Sequence, residues 1–307
     1  MNTNDNHWEL HVQGNAGLSH YNLYPHFIFY HGDVDMADFK VRFSSKHVTS
    51  LGHSEKARAA IRLKTLLRYF SGLQLITNSE YIYPDSQLYY VTGDRKFRVE
   101  SSPEIGLELL LDELSNPFDT NGIEGYIPRD AKMEPNMNLD FIQILIDEPL
   151  ARENILLFTL AYENNLNLLV NTYKIYENVK ADLQVKTNNG KVVFRNDTEY
   201  PQELVDSFSQ IYDLAQFINS KTASGLLSRH GTSNTPPPNK MPTLNEVIKH
   251  LRDLVYNWMN YRCMKEFGRN YILIERIGES EAILTDEDFY DLEKFANNEK
   301  DELGDQE

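Results

Sequence analysis

The sequence has almost no cysteine and no long apolar run. Only one cysteine, Cys263, occurs in 307 residues, so no disulfide can form within the chain and a reducing compartment is favoured. No basic and apolar leader precedes Trp8, and the apolar runs are far shorter than the ~20 residues that a membrane-spanning helix needs. We therefore expect a cytoplasmic protein without a membrane segment.

Motifs for nucleotide, serine and zinc chemistry are also missing. The chain contains no Gly-x-Gly-x-x-Gly, Gly-x-x-x-x-Gly-Lys, Gly-x-Ser-x-Gly or His-Glu-x-x-His, and no pair of closely spaced cysteines. The histidines of the N-terminal region follow no ligand spacing. They include His20, His26, His31, His47 and His53. We predict neither a metal nor another cofactor.

Positive charge is scarce, and the negative charge is uneven. The formal net charge is −16. Residues 279–307 hold 12 acidic and 2 basic residues, a net −10, which leaves −6 for residues 1–278. A broad basic surface for non-specific duplex binding is not expected, so any nucleic-acid contact needs a local patch. Residues 271–307 are predicted to be an acidic tail suited to a basic protein partner.

Residues 1–136 are predicted to form a mostly β domain, because aromatic and β-branched residues alternate with polar ones between Gly, Asn and Asp turns. The strand-like segments are residues 8–12, 24–30, 39–43, 73–76, 81–83, 88–91 and 97–100. Residues 54–70 have helical spacing instead and predict one amphipathic helix, with Arg58, Arg62 and Arg68 largely off its apolar side. Two interpretations of these arginines are a solvated face and a phosphate-facing patch.

Residues 137–270 are predicted to form an α-helical bundle after a connector rich in proline and glycine. Two helices meet near Asn164, and another begins near Pro201. The last helix opens with the capping box Thr243-x-x-Glu246 and ends near Gly268. The predicted fold class is therefore α+β, with an N-terminal mostly β domain containing one amphipathic helix and a C-terminal helical bundle.

Arg229 and His230 are the main candidates for chemistry. We expect them at the end of a helical segment, where Gly231 releases the backbone. Histidine exchanges a proton near neutral pH and a guanidinium binds phosphate bidentately, which together suit metal-independent cleavage of RNA. Lys174 and Glu177 on an earlier helix are predicted to support them. In the alternative interpretation, Arg229 pairs with Glu177 or caps carbonyl groups and has a structural role.

The order of several segments resembles a group of uncharacterised bacterial proteins. The segments are residues 54–76, 173–177 (Tyr-Lys-Ile-Tyr-Glu), 217–220 (Phe-Ile-Asn-Ser), 228–231 (Ser-Arg-His-Gly), 236–238 (Pro-Pro-Pro) and a helix ending near Trp258. The helical half in turn is similar to the HEPN class (higher eukaryotes and prokaryotes nucleotide-binding), helical bundles common in prokaryotic defence systems. This resemblance implies a dimer whose active RNases carry an Arg and a His separated by four to six residues. Arg229 matches that motif, but residues 234–236 are Asn, Thr and Pro, and His230 is adjacent instead.

Two functions of different classes follow. The first is a HEPN-like RNA-binding protein or metal-independent RNase effector in prokaryotic defence, with Arg229 and His230 as catalytic residues. The second is a non-catalytic protein-interaction scaffold in which the Arg–His pair is structural. The residues support both, so the sequence leaves open whether the chain is an enzyme. The expected partners are RNA, a protein bound by the acidic tail, and a second copy of the chain.

Overall fold

The computed structural model describes residues 6–13, 23–31, 41–78, 81–93, 95–99, 106–188, 191–195, 198–229 and 235–273. Within these ranges the chain forms seven strands and eight α-helices, so the predicted α+β class is confirmed. The strands are β1 (His7–Gln13), β2 (Ile28–His31), β3 (Val41–Ser44), β4 (Tyr83–Thr92), β5 (Arg95–Arg98), β6 (Lys186–Asn188) and β7 (Lys191–Val193). The helices are α1 (Lys56–Asn78), α2 (Leu107–Ser115), α3 (Met137–Asp147), α4 (Pro149–Glu163), α5 (Asn165–Asp182), α6 (Gln202–Asn219), α7 (Lys221–Ser224) and α8 (Leu244–Phe267).

Strands β1 to β5 form one antiparallel sheet in the order β2-β3-β1-β4-β5. The alternation along β1 that predicted a strand buries Trp8, Leu10 and Val12 in the core beside α1. Residues of the other parity, among them Glu9 and His11, lie on the opposite face of the sheet. Strands β6 and β7 form a separate hairpin.

Glu9 is buried at the centre of a polar network on that opposite face. The Tyr30 hydroxyl donates a hydrogen bond to its carboxylate at 2.5 Å, and Lys96 and Arg42 form ion pairs with it. Burial alone raises the pKa of Glu9, but the hydrogen bonds from His7, Lys96 and Tyr30 outweigh burial and lower that pKa to about 2. The network therefore joins β1, β2, β3 and β5 across the sheet.

Helix α1 is longer and more buried than the sequence indicates. Residues 73–76, which we predicted as a strand, are part of its last turns. Leu73, Leu75 and Ile76 are all buried, because α1 packs on the sheet and also against α2, α4 and α8. A helix that is buried on several sides has a continuous apolar run, and such a run cannot be told from a strand by its period.

The arginines of α1 also differ from both expected roles. Arg62 is buried and donates two hydrogen bonds to Glu113 of α2, at 2.6 and 2.8 Å. Arg58 lies 3.3 Å from the same carboxylate, and Arg68 pairs with Glu163 of α4 at 2.9 Å. The helix predicted over residues 54–70 is therefore present, but its arginines form ion pairs with neighbouring helices and make neither a solvated face nor a phosphate-facing patch.

The helical half follows its local signals closely. The Asn164 side chain caps α5 by accepting a hydrogen bond from the backbone N–H of Leu166. Thr243 and Glu246 make both hydrogen bonds of the capping box, and Gly268 ends α8 with φ 68°. Cys263 is buried in α8. No helix in the described part of the chain has both the length and the apolar composition needed to cross a membrane.

Asp140 connects the segment before α3 with the segment after α8. Its fully buried carboxylate accepts hydrogen bonds from Arg129 at 2.6 Å, from Arg269 at 2.7 Å and from the Tyr271 hydroxyl. The buried apolar residues of the sheet, α1 and the later helices form one continuous cluster. The predicted boundary between residues 136 and 137 coincides with the start of α3. That the two parts fold independently stays a prediction.

A pair of buried histidines links β2 to the connector before α3. His47 Nδ1 donates to the carbonyl oxygen of Asp119 at 3.0 Å, so its Nε2 is the acceptor for His26 Nδ1, also at 3.0 Å. Burial lowers the pKa of both imidazoles, and the proximity of His47 lowers that of His26 further. Both rings are therefore neutral in the folded protein at neutral pH.

Gly72 marks the closest approach of α1 to α4, and its substitution tests that packing. A Cβ atom at this position would lie 2.5 Å from Thr159 Oγ1 and 2.7 Å from Ile155 Cγ2. We expect Gly72→Ala to lower the free energy of unfolding by about 1–3 kcal/mol, although alanine otherwise stabilises a helix interior. Urea unfolding measures the change. Gly52→Ala is the control, because nothing lies within 4 Å of its added Cβ, and equal stability of the two variants would contradict the close contact.

The histidine pair predicts a loss of stability in mild acid. Because its folded pKa values lie below the ordinary 6.5, the unfolded chain takes up protons first as the pH falls below 6.5. Stability is complete above pH 6.5 and then decreases by up to about 1.4 kcal/mol per pH unit for each histidine. Glu9 contributes only below its ordinary value of 4.5, so the window between pH 6.5 and 5 reports the histidines.

Urea midpoints between pH 7.5 and 5 measure this dependence. His26→Gln should reduce the slope, whereas His53→Gln, which removes an exposed histidine, should leave it unchanged. If the urea midpoint of the wild type does not change between pH 7.5 and 5, the assignment of two neutral buried imidazoles is wrong.

Candidate functional site

A tight reversal after α6 brings Arg229 back to the helical bundle. The Ser220 side chain caps the short helix α7, and Gly225 then turns the chain with φ 57° into a 3₁₀ turn that ends at Leu227. The backbone N–H of Arg229 donates to the carbonyl oxygen of Ile218, near the end of α6, at 3.2 Å. Arg229 therefore lies in a bend just beyond the helical segment, and Gly225 is the glycine with positive φ that precedes it.

The Arg229 side chain lies on the ring of Tyr173 in α5. The guanidinium carbon is 3.6 Å from the ring centroid, which is a close cation–π contact. Among the described residues, no carboxylate lies within 4 Å of this guanidinium and no group accepts a hydrogen bond from it. The expected ion pair with Glu177 is thus not formed. The N–H groups of the planar Arg229 guanidinium donate to no protein acceptor in the described part of the chain, so they are available to bind an anion.

The predicted supporting residues lie on the exposed surface of α5. Lys174 follows Tyr173 directly, and Glu177 lies one turn further along the helix, both exposed to solvent. Lys180 adds a third cation, with its Nζ 5.9 Å from the ring centroid of Tyr176. Lys174, Lys180 and Arg229 are thus three cations on or beside α5, and Glu177 is the acidic residue predicted with them.

Aromatic packing beneath the surface holds Tyr173 in place. The Tyr176 ring lies 5.8 Å from Tyr173 and 5.0 Å from Phe208 of α6. Burial, with smaller effects of Tyr173, Tyr212 and Glu177, raises the pKa of Tyr176 to about 12. Its phenol is therefore protonated and uncharged at physiological pH, and its ring packs between α5 and α6.

Sequence reasoning identified Arg229 and Lys174 but missed Tyr173 as a member of the site. Tyr173 stands next to Lys174 in the chain, yet no local pattern indicates that a distant arginine stacks on it. His230, the second predicted catalytic residue, lies outside the described residues, as does Gly231. The structure therefore brings together Arg229, Tyr173 and the exposed charges of α5.

The chain matches no protein-family model, no curated protein and no solved structure. Within the described ranges, no three His, Cys, Asp or Glu side chains are arranged to hold a metal ion.

A double-mutant cycle tests the contact between Tyr173 and Arg229. Tyr173→Leu, Arg229→Gln and the double variant should show a coupling free energy of about 0.5–1 kcal/mol, because each single change already removes the cation–π contact. Urea unfolding of the four proteins gives the coupling. A second cycle with Lys174→Gln in place of Tyr173→Leu is the control and should give no coupling. Equal values from both cycles would disprove a specific contact with the ring.

Proposed function

We propose that the chain binds RNA and that Arg229 is its principal phosphate contact. The guanidinium stacked 3.6 Å from the Tyr173 ring centroid carries the proposal, because no described residue accepts its hydrogen bonds. Stacking orients the planar fork and leaves its N–H edge for a phosphate, which guanidinium groups bind bidentately. The choice of RNA among polyanions rests on the HEPN resemblance of the helical half.

Lys174 and Lys180 support the same proposal through their charge. Both project from α5, the helix that supplies the ring beneath Arg229. Counterion release makes each phosphate contact favourable at low salt, even on a protein whose net charge is negative. The proposed contact is therefore local, as the charge distribution requires.

The enzymatic form of the proposal adds His230 and remains within the HEPN-like class of defence RNases. In such a reaction His230 takes the proton of the 2′-hydroxyl as its oxygen attacks the adjacent phosphorus. The bond from phosphorus to the 5′-oxygen then breaks, and the leaving 5′-oxygen takes a proton from water, which leaves a 2′,3′-cyclic phosphate and a 5′-hydroxyl. Arg229 stabilises the negative charge that develops on the phosphate. A second copy of the chain, which the HEPN resemblance implies, belongs to this form of the proposal.

A scaffold function is the second candidate, and one observation favours it. The hydrogen bond from the Arg229 backbone to Ile218 and the stacking on Tyr173 both fasten the chain reversal to α5 and α6. In that function Arg229 is structural, and the acidic tail binds a basic protein.

RNA affinity and stability of Arg229→Ala distinguish the two candidates. If Arg229 binds phosphate, its loss should weaken binding about ten-fold or more and lower the slope of log affinity against log salt by about 0.7. Fluorescence anisotropy with labelled single-stranded RNA over a salt series measures both. Arg252→Ala on α8 is the control, because Arg252 is 34% exposed and lies beside Asp253.

Incubation of the same RNA with excess EDTA tests the enzymatic form. Cleavage by the wild type that both Arg229→Ala and His230→Ala abolish, with the variants still folded by circular dichroism, would assign a metal-independent RNase. Unchanged RNA affinity of Arg229→Ala together with a lower melting temperature would reject RNA binding at this site and favour the scaffold.

A further inference from the structure

Strand β5 is a basic edge of the sheet. It pairs with β4 on one side and is last in the strand order, and all four of its residues are exposed. Three of the four are cations, Arg95, Lys96 and Arg98. Lys96 forms an ion pair with Glu9, and its Nζ lies 4.0 Å from the centroid of the Tyr89 ring. Arg95 and Arg98, by contrast, have no described carboxylate within 4 Å.

An aromatic row leads from the core to this edge. The buried ring of Trp8 lies 4.8 Å from Tyr90, and the exposed His53 ring lies 5.4 Å from Tyr90. Phe97 is the direct cross-strand partner of Tyr90, which places the two side chains next to each other on one face. Phe97 is 44% exposed, and no ring in the described part of the chain stacks on it.

Protection of the sheet edge explains only part of this arrangement. Charged residues on an edge strand prevent pairing with other strands, and they account for Arg95 and Arg98. They do not account for Phe97, a large exposed aromatic ring that adds an apolar surface to the edge on the same face as Arg95, with Arg98 on the opposite face. A cation beside an exposed ring is instead the combination with which proteins hold single-stranded nucleic acid.

We propose that β5 and the neighbouring end of the aromatic row form a second contact surface, specific for single-stranded RNA. One base stacks on Phe97, while Arg95, on the same face of the strand, binds a flanking phosphate. The identity of the ligand rests on the proposed function, but the surface is separate from Arg229. A duplex does not fit this surface, because its bases are stacked on each other and present no free face. An acidic peptide would use the charges of β5 without needing the ring.

Variants of exposed residues test the surface in the full chain without disturbing the core. Phe97→Leu keeps an apolar side chain but removes the ring, and we expect it to weaken binding of a labelled single-stranded RNA about five-fold or more. Arg95→Ala should weaken binding and lower the salt slope by about 0.7. Lys191→Ala, an exposed cation on β7, is the control and should bind as the wild type does. Thermal melting should be unchanged in all three.

The ligand class is tested with the same proteins. Duplex RNA of the same sequence should bind Phe97→Leu and the wild type equally. If Phe97→Leu binds single-stranded RNA like the wild type, the stacking surface is wrong. If polyglutamate displaces the RNA and Phe97→Leu binds RNA like the wild type, β5 is a surface for an acidic peptide. This result would also overturn the proposal.

Comparison with Arg229→Ala separates this surface from the proposed function. Weaker binding by Phe97→Leu but not by Arg229→Ala supports the β5 surface and rejects Arg229 as the phosphate contact. The reverse result supports Arg229 and rejects the β5 surface. A wild type that binds no RNA at low salt rejects both.

Discussion

The burial of helix α1 between the sheet and the helices is the constraint on which the rest of the structure depends. One side of α1 completes the core of the sheet, and other sides pack against α2, α4 and α8. Gly72 permits the close approach of α4, and Arg62 is compatible with the interior only because Glu113 neutralises it through two hydrogen bonds. An element buried in this way cannot move by itself, so it fixes α4 and α8, against which the site helix α5 packs.

The interaction partners of the arginines distinguish those that stabilise the fold from those proposed to bind a ligand. Most described arginines form hydrogen bonds or ion pairs with carboxylates or backbone carbonyl groups of the fold. They include Arg62, Arg68, Arg129, Arg152, Arg262 and Arg269. Arg229, Arg95 and Arg98 differ, because no described carboxylate or carbonyl group accepts from them, and each lies beside an aromatic residue. In a chain of net charge −16, such cations are the positions at which an anionic ligand is best accommodated.

Local signals predicted those parts of the fold that local chemistry determines. The capping box at Thr243, the turn at Gly268 and the break at Asn164 depend on neighbouring residues, and all three are confirmed. The last turns of α1 were predicted as a strand because burial on several sides removes the helical period. The contact of Arg229 with Tyr173 joins positions far apart in the chain, so no local pattern reports it. Arg229 could be chosen from the sequence, but the ring that orients it could not.

Photo-crosslinking tests most directly whether RNA lies on the surface around Arg229. Single-stranded RNA containing 4-thiouridine would be irradiated with the full-length protein at low salt, and the linked peptides would be identified by mass spectrometry. RNA binding at this site predicts crosslinks in the α5 peptide that contains Tyr173, and these should be lost in Arg229→Ala. Efficient crosslinking confined to peptides remote from α5 and the Arg229 segment, unchanged in that variant, would contradict it.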